Sequence, residues 1–257
     1  MARTPGHQKA LYKLGLALRR SGEETAAARV EELFRYRQPA AEAVRTMQRA
    51  GVRTPAERLA LGRAYLDTGL PTEALYEART ALATDPASGD GFVLLGEAAL
   101  ALSPARTDVA ERAFERALRL SSKHVEALVG LADTYRRTGR TATAREVLLR
   151  ALAQRPEDPA AQVAMAGVEM DEGRTEAAAE RLRELLGRHP AEPAGLITLA
   201  EVHVAAAGSS PERAEEALEL LDQLARLARA DLYGETTEVR VRALQASGAK
   251  AEARRRI

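Results

Sequence analysis

The chain has 257 residues, and its 38 Lys and Arg residues nearly balance its 37 Asp and Glu residues, so the formal net charge is +1 at pH 7. A nucleic-acid-binding protein usually carries a basic excess or a basic stripe, and this balance does not favour that class. The sequence contains no Cys, which excludes disulfides, thiolate metal ligands and a cysteine nucleophile.

Residues 7–54 predict irregular N-terminal helices that include one short helical repeat. The apolar run Leu14–Leu18 is too short for the core of a secretory signal and far too short to span a bilayer. We therefore expect a cytoplasmic protein without membrane insertion.

From residue 55 the sequence repeats with a period of 34 to 36 residues. One series pairs an apolar residue with a small one: Leu61-Gly62, Leu95-Gly96, Leu131-Ala132, Met165-Ala166 and Leu199-Ala200. A second series places alanine in phase at Ala74, Ala110, Ala144, Ala178 and Ala214. A third series places a small residue between the two segments of each unit, at Gly69, Ser103, Gly139, Gly173 and Ala207. Five regular repeats are predicted at 55–88, 89–124, 125–158, 159–192 and 193–229, followed by a partial repeat at 230–257.

Each repeat has the composition of two helices that cross closely. Gly or Ala is needed where the helices approach, because a bulky residue there would force them apart at a cost of about 1–3 kcal/mol. A glycine between the helices can adopt positive φ and end the first helix. A proline at the end of the repeat, such as Pro86 or Pro156, cannot continue the second helix.

The repeat at 55–88 combines Leu61, Gly62, Tyr65, Gly69, Ala74, Ala81 and Pro86. This order resembles the tetratricopeptide repeat, and the repeat at 125–158 matches it as well. The resemblance implies an all-α, right-handed superhelical solenoid of antiparallel helix pairs over 1–257. It also implies a scaffold or adaptor that binds another protein, with no catalysis and no cofactor.

In the family, the first helix of each repeat lines a concave groove, and the fifth position of that helix faces the ligand. Carried over to this sequence, the fifth positions are all aliphatic: Leu59, Val93, Val129, Val163 and Ile197. The flanking groove positions are mostly acidic: Asp67, Asp90, Glu97, Glu126, Asp133, Asp171 and Glu201. Three arginines oppose them, at Arg63, Arg136 and Arg137.

These positions predict a groove for an apolar or amphipathic segment of a partner protein, with basic flanks. The aliphatic stripe could instead pack against another part of the same chain or support self-association. Two other functions stay open at this point: the recruiting arm of a larger enzyme or complex, and a helical-repeat RNA binder, for which an acidic and apolar groove is unfavourable.

Two polar residues, Glu169 and His203, occupy the position that holds Tyr65 and Tyr135 in other repeats. If they meet, the carboxylate would raise the pKa of the imidazole, and the pair would be either a pH-sensitive joint or a structural contact. The other histidines, His7, His124 and His189, are expected to be solvated, and no two histidines have metal-ligand spacing.

Overall fold

The computed structural model describes residues 42, 44–52, 54–206, 211–226, 239, 242 and 243, which form helices and connecting turns without any strand. Ten helices of 12 to 16 residues follow the helical segment 44–50. They are α1 (Pro55–Asp67), α2 (Pro71–Thr84), α3 (Gly89–Leu100), α4 (Thr107–Leu120), α5 (Val125–Arg137), α6 (Thr141–Gln154), α7 (Pro159–Asp171), α8 (Thr175–Arg188), α9 (Pro193–Ala206) and α10 (Pro211–Arg226). The predicted helices within 7–41 and most of the partial repeat 230–257 lie outside the described residues.

The ends of the helices follow the turn residues in the sequence. Gly69, Gly139 and Gly173 have φ of 71°, 76° and 75°, as predicted, and each ends the first helix of a repeat. A residue with a side chain is strained at such φ values, which is why glycine suits these turns. At the other end, the Thr54 hydroxyl accepts a hydrogen bond from the Glu57 N–H, and the Glu57 carboxylate accepts one from the Thr54 N–H. This capping box fixes the start of α1.

The described part of the chain divides into two compact units, with the boundary between Arg174 and Thr175. The first unit contains α1–α7. Within it α1 packs on α2, α3 on α4 and α5 on α6. Among the first helices, α1 contacts α3, α3 contacts α5 and α5 contacts α7. The boundary falls inside the predicted repeat 159–192, so a single solenoid over 1–257 stays a prediction.

The second unit contains α8, α9 and α10, of which α9 packs on both of the others. Its core includes Ala200, Val204, Ala217 and Leu221, together with Val239 from the segment that follows. The alanine series predicted from the sequence is buried throughout, with Ala178 and Ala214 fully buried in this unit and Ala74, Ala110 and Ala144 fully buried in the other.

The closest packing in the first unit surrounds Phe114, which is fully buried on α4. A Cβ atom added to Gly96 on α3 would lie 2.5 Å from the ring, and one added to Gly130 on α5 would lie slightly closer. The ring therefore fills a slot between two consecutive first helices that exists only because both residues are glycine. The sequence pattern predicts the small residue at Gly96, but Gly130 lies two residues before Ala132 and outside the predicted series.

We expect Gly130→Ala to lower the free energy of unfolding by about 1–3 kcal/mol, because the new methyl group overpacks a ring that cannot move away. The measurement is chemical denaturation followed by circular dichroism. Gly187→Ala is the control: Gly187 is a helical glycine of α8 whose added Cβ meets nothing within 4 Å. There the higher helix propensity of alanine should stabilise by about 0.5–1 kcal/mol. Equal effects of the two substitutions on stability would contradict the claim that the Phe114 ring fits only because residue 130 is glycine.

Candidate functional site

The first helices of the unit 40–174 present a row of polar residues along one shared face. The helices α1, α3, α5 and α7 are neighbours in space, so side chains at matching positions of successive repeats come close together. This is the face that the resemblance identifies as the ligand-binding groove.

The fifth positions do not form the continuous exposed stripe that the sequence predicts. Leu59 and Val93 are only 7 % and 3 % exposed, and Ile197 in the other unit is 7 % exposed. Val129 and Val163 are half-buried. Leu59 packs with Ala78, Ala81 and Leu94, while Val93 joins the core around Phe114.

The physical reason for this burial is the position of the fifth residue three residues before the small crossing residue, as in Leu59 and Gly62 or Val93 and Gly96. Residues three apart share a helix face. Beside the glycines, which lack a Cβ, Leu59 and Val93 are buried in the core, whereas the valines beside Ala132 and Ala166 stay half-buried. Only Val129 and Val163 keep an aliphatic surface on this face.

The acidic positions do come together, around Glu97 on α3. Protein atoms surround its carboxyl group although its side chain still reaches solvent, and this partial burial is the main reason that its pKa is raised. The positive charge of Arg63 opposes the shift, while the negative charges of Glu126, Asp67 and Asp90 add to it. Four other predicted groove residues therefore act electrostatically on Glu97, three carboxylates against one guanidinium.

A raised pKa means that ionised Glu97 disfavours the folded state at neutral pH. This cost is absent at low pH, where Glu97 is protonated. It appears as the pH rises from 4.5, the ordinary pKa of the group, through the higher pKa of the folded state. We therefore expect Glu97→Gln to raise the melting temperature at pH 7.5. The gain in the free energy of unfolding should be less than about 1 kcal/mol, because the side chain is partly solvated.

Thermal denaturation at a series of pH values tests this expectation, and the gain should shrink as the pH approaches 4. Glu146→Gln on α6, an exposed acid of the second helices, is the matched control and should give no comparable gain. A destabilised Glu97→Gln variant at pH 7.5 would contradict the assignment.

Farther along the same face, the arginines and acids neutralise one another. The Arg137 Nε–H donates to Asp133 Oδ2 at 2.7 Å within α5. Arg136 Nη1 lies 3.4 Å from Asp171 Oδ2 on α7 and 3.1 Å from the place where a Cβ of Gly167 would be. Gly167 thus makes room for a guanidinium that links two repeats. Glu201 lies on α9 in the other unit, where it is half-buried.

A second set of charges joins successive repeats at the starts of the first helices. His124 Nε2 lies 3.2 Å from Asp90 Oδ1, and His124 Nδ1 lies 3.1 Å from Glu126 Oε2 without the alignment of a hydrogen bond. Arg155 then donates to Glu126 at 2.6 Å and to Asp158 at 3.2 Å. Partial burial would raise the pKa of Glu126, but the Arg155 hydrogen bond, its own N–H and the charges of Arg155 and His124 together lower it.

The expectation that His124 is solvated is therefore wrong, since only 15 % of its side chain is exposed and both ring nitrogens face carboxylates. Its spacing of 34 residues from Asp90 equals one repeat, which is the signal in the sequence that could have identified the contact. His189 is exposed, as expected, and His7 lies outside the described residues.

Glu169 and His203 are both buried, at 3 % exposure each, and they belong to different units. Within its own unit, His203 Nδ1 lies 2.9 Å from Glu216 Oε2, but the two atoms are not aligned for a hydrogen bond. Burial lowers the pKa of His203 below 6.5, and the charges of Arg183 and Arg213 lower it further, against the opposite effects of Glu216 and Glu176. The predicted rise in its pKa is wrong because desolvation of the imidazolium outweighs the carboxylate.

An NMR titration of the imidazole should accordingly give a pKa for His203 below 6.5. A lowered folded pKa gives stability that is fully present above pH 6.5 and is lost as the pH falls toward the folded value. Thermal melts should therefore shift to lower temperature over that interval. A titration at or above 6.5 would show that the ring is solvated or firmly paired with Glu216.

Comparisons with known proteins agree with this helix-pair architecture. The family model for the TPR domain of cytochrome c-type biogenesis protein H matches residues 74–196. Residues 74–196 are tetratricopeptide repeats. A search of curated proteins found no match.

Solved tetratricopeptide-repeat structures have the same all-α fold. A thermophilic TPR protein of Thermus thermophilus is 22 % identical, with a TM-score of 0.57 over 76 % of this chain and 98 % of that chain. PilF of Pseudomonas aeruginosa is 19 % identical, with a TM-score of 0.55 over 79 % and 88 % of the two chains. PilW, a type IV pilus biogenesis factor, is 17 % identical, with a TM-score of 0.58 over 79 % and 90 %. At these identities the likeness establishes the fold of this tetratricopeptide-repeat protein.

Two further properties concern the residues that the structure describes. In that part of the chain, no helix has the length and apolar character needed to cross a bilayer. The same residues contain no group of three or more His, Asp or Glu side chains arranged to hold a metal ion.

Proposed function

We propose that the tetratricopeptide-repeat protein is a scaffold that binds a basic, amphipathic segment of a partner protein on the first-helix face of residues 40–174. The observation that carries the proposal is the group of carboxylates around Glu97, whose desolvation and mutual repulsion raise its pKa. The fold itself is one that acts in protein–protein interaction.

A cationic side chain placed among these carboxylates would relieve their repulsion. Glu97 is close enough to Asp67, Asp90 and Glu126 for their charges to act on it, and Arg63 is the one cation that opposes them among the groups acting on Glu97. An arriving Lys or Arg therefore gains from several carboxylates at once in a partly desolvated place. Such binding should weaken as the salt concentration rises.

The apolar part of the contact is supplied by Val129 and Val163, the two fifth-position residues that remain half-buried. Fully burying an aliphatic side chain contributes roughly 1.5–3 kcal/mol. Each of these two valines contributes less, because only its exposed part would be covered. Since the segment must also be ordered on binding, we expect affinity of about micromolar strength that depends mainly on charge.

The same charges are unfavourable for the RNA-binding alternative, because a polyanion would meet the carboxylates around Glu97. The alternative of a recruiting arm in a larger complex is compatible with the proposal, and the family model is named for cytochrome c-type biogenesis. We infer a binding role rather than a catalytic one. The cytoplasmic location stays a prediction, which cell fractionation would test.

The binding experiment compares two variants that change the net charge equally, Glu97→Lys among the carboxylates and Glu146→Lys on the exposed surface of α6. A labelled synthetic amphipathic helix with lysine flanks is titrated and followed by fluorescence anisotropy. Glu97→Lys should weaken binding at least about tenfold, because it replaces a charge-assisted contact by repulsion. Glu146→Lys should leave the affinity within about twofold, consistent with screening of distant surface charges.

A peptide with glutamate flanks should not bind, and circular dichroism should show that both variants remain helical. Equal loss of binding in the two variants would show that only the net charge matters, and not the position of Glu97. Unchanged binding by Glu97→Lys would overturn the proposal. If the proposal holds, affinity capture followed by mass spectrometry, with the same pair of variants, would identify partners whose binding depends on Glu97.

A further inference from the structure

A cavity of about 540 Å³ lies in the second unit, between α8, α9 and α10. It is separate from the carboxylates around Glu97, which belong to the first unit. Its apolar surface comes from Leu199 and Leu220, and its polar surface includes Arg183, His203, Glu216 and Glu219.

His203 is the buried polar group of this cavity, with 4 % of its side chain exposed. Among the residues that the structure describes, its Nδ1 atom has no hydrogen-bond partner, although Glu216 lies 2.9 Å away in an unaligned position. A buried ring nitrogen without a hydrogen bond is unfavourable. The His203 ring also lines the cavity, where an occupant would contact it.

The equivalent position in the first unit shows what such an occupant can be. There Tyr135 takes the place of His203, and the guanidinium of Arg140 lies over its ring at 4.2 Å from the centroid. Two hydrogen bonds of 2.8 and 2.7 Å join Arg140 to Glu111 on the preceding second helix. An arginine thus stacks on the ring at this position and is held by a carboxylate.

The repeat that contains His203 keeps a ring at this position, but Ala179 stands where Glu111 does in the other unit. Its carboxylates, Glu216 and Glu219, come instead from the second helix of the same repeat, and it lacks the arginine. The residue five positions after Tyr135 is Arg140, whereas the residue five positions after His203 is Gly208, which has no side chain to offer. Imidazole is also smaller than the phenol ring of tyrosine, which leaves more of the space open.

The charges on the cavity favour a cation. Glu216 and Glu219 contribute two negative charges against one positive charge from Arg183. The other charged groups that act on His203 are Arg213 and Glu176, which pair with each other at 2.6 Å. One added positive charge would therefore balance the lining.

We propose that this cavity binds an arginine side chain of a partner protein. The guanidinium donates to Glu216 and Glu219 beside the His203 ring and rests its methylene stem on Leu199 and Leu220. The site would be a second contact point, additional to the first-helix face of the other unit.

The test uses the full chain and N-acetylarginine amide as the probe, with the His203 ring signals and ligand-observed NMR as readouts. N-acetylcitrulline amide has nearly the same shape without the charge, and N-acetylglutamate amide carries the opposite charge. We expect saturable shifts of the His203 ring with the arginine probe, and binding at least about tenfold weaker with the citrulline probe, because the charge-assisted hydrogen bonds are lost.

Two variants and a control locate the binding. His203→Tyr should fill the space and restore the residue found at 135, and it should weaken the arginine probe at least about tenfold. Glu216→Gln combined with Glu219→Gln should have a similar effect without changing the volume. Glu215→Gln, an exposed acid of the same helix, should leave the affinity within about twofold.

Equal affinity for the arginine and citrulline probes, or stronger binding of the glutamate probe, would overturn the proposal. So would unchanged arginine binding by the double glutamine variant with native circular dichroism. Glu97→Lys in the other unit should not affect this titration, so a failure of the proposed first-helix site and a failure of this cavity are distinguishable.

Discussion

The closeness with which neighbouring helices approach is the constraint on which the first unit depends. Phe114 is held between Gly96 on one first helix and Gly130 on the next, with room for its ring only because neither residue has a Cβ. Around it, Ala110, Ala113 and Ala117 are almost completely buried. The core around this ring therefore combines small side chains where the helices cross with aliphatic ones such as Leu128 and Leu148, and its packing fixes the spacing of successive repeats.

Small crossing residues also determine what the first-helix face can display. With glycine at position 62 or 96, the aliphatic residue three places earlier turns inward, and the surface is left mainly to charged residues. Charges of opposite sign pair between repeats through Arg136 and Asp171, or through Arg155 and Glu126. Around Glu97 the carboxylates that act on its charge outnumber the one guanidinium that does so, although one of them, Glu126, is itself paired with Arg155. The surplus is local, which is why the net charge of +1 gives no hint of it.

Sequence reasoning captured the features that depend on local geometry. The turn glycines, the buried alanines and the helix pairs follow from positive φ and from side-chain size, both of which are properties of single residues. It failed where neighbours decide the outcome. Leu59 and Val93 match the family's groove positions but are needed by the core, and Gly130 matters because of a ring sixteen residues earlier in the chain. His203 stands near an acid, yet desolvation controls its pKa, and desolvation cannot be read from spacing.

Two regions of the chain carry unfavourable polar groups. Ionised Glu97 is desolvated among like charges, and His203 is buried without a hydrogen bond at the wall of a cavity. A protein that needed only stability would gain by replacing Glu97 with a neutral residue or by filling the space at His203 with tyrosine, as another repeat of this chain does. Strained electrostatics of this kind are typical of functional sites. In both regions carboxylates outnumber the cations that act beside them, and a positive charge from outside the unit would offset that excess, which links the two proposals to one physical cause.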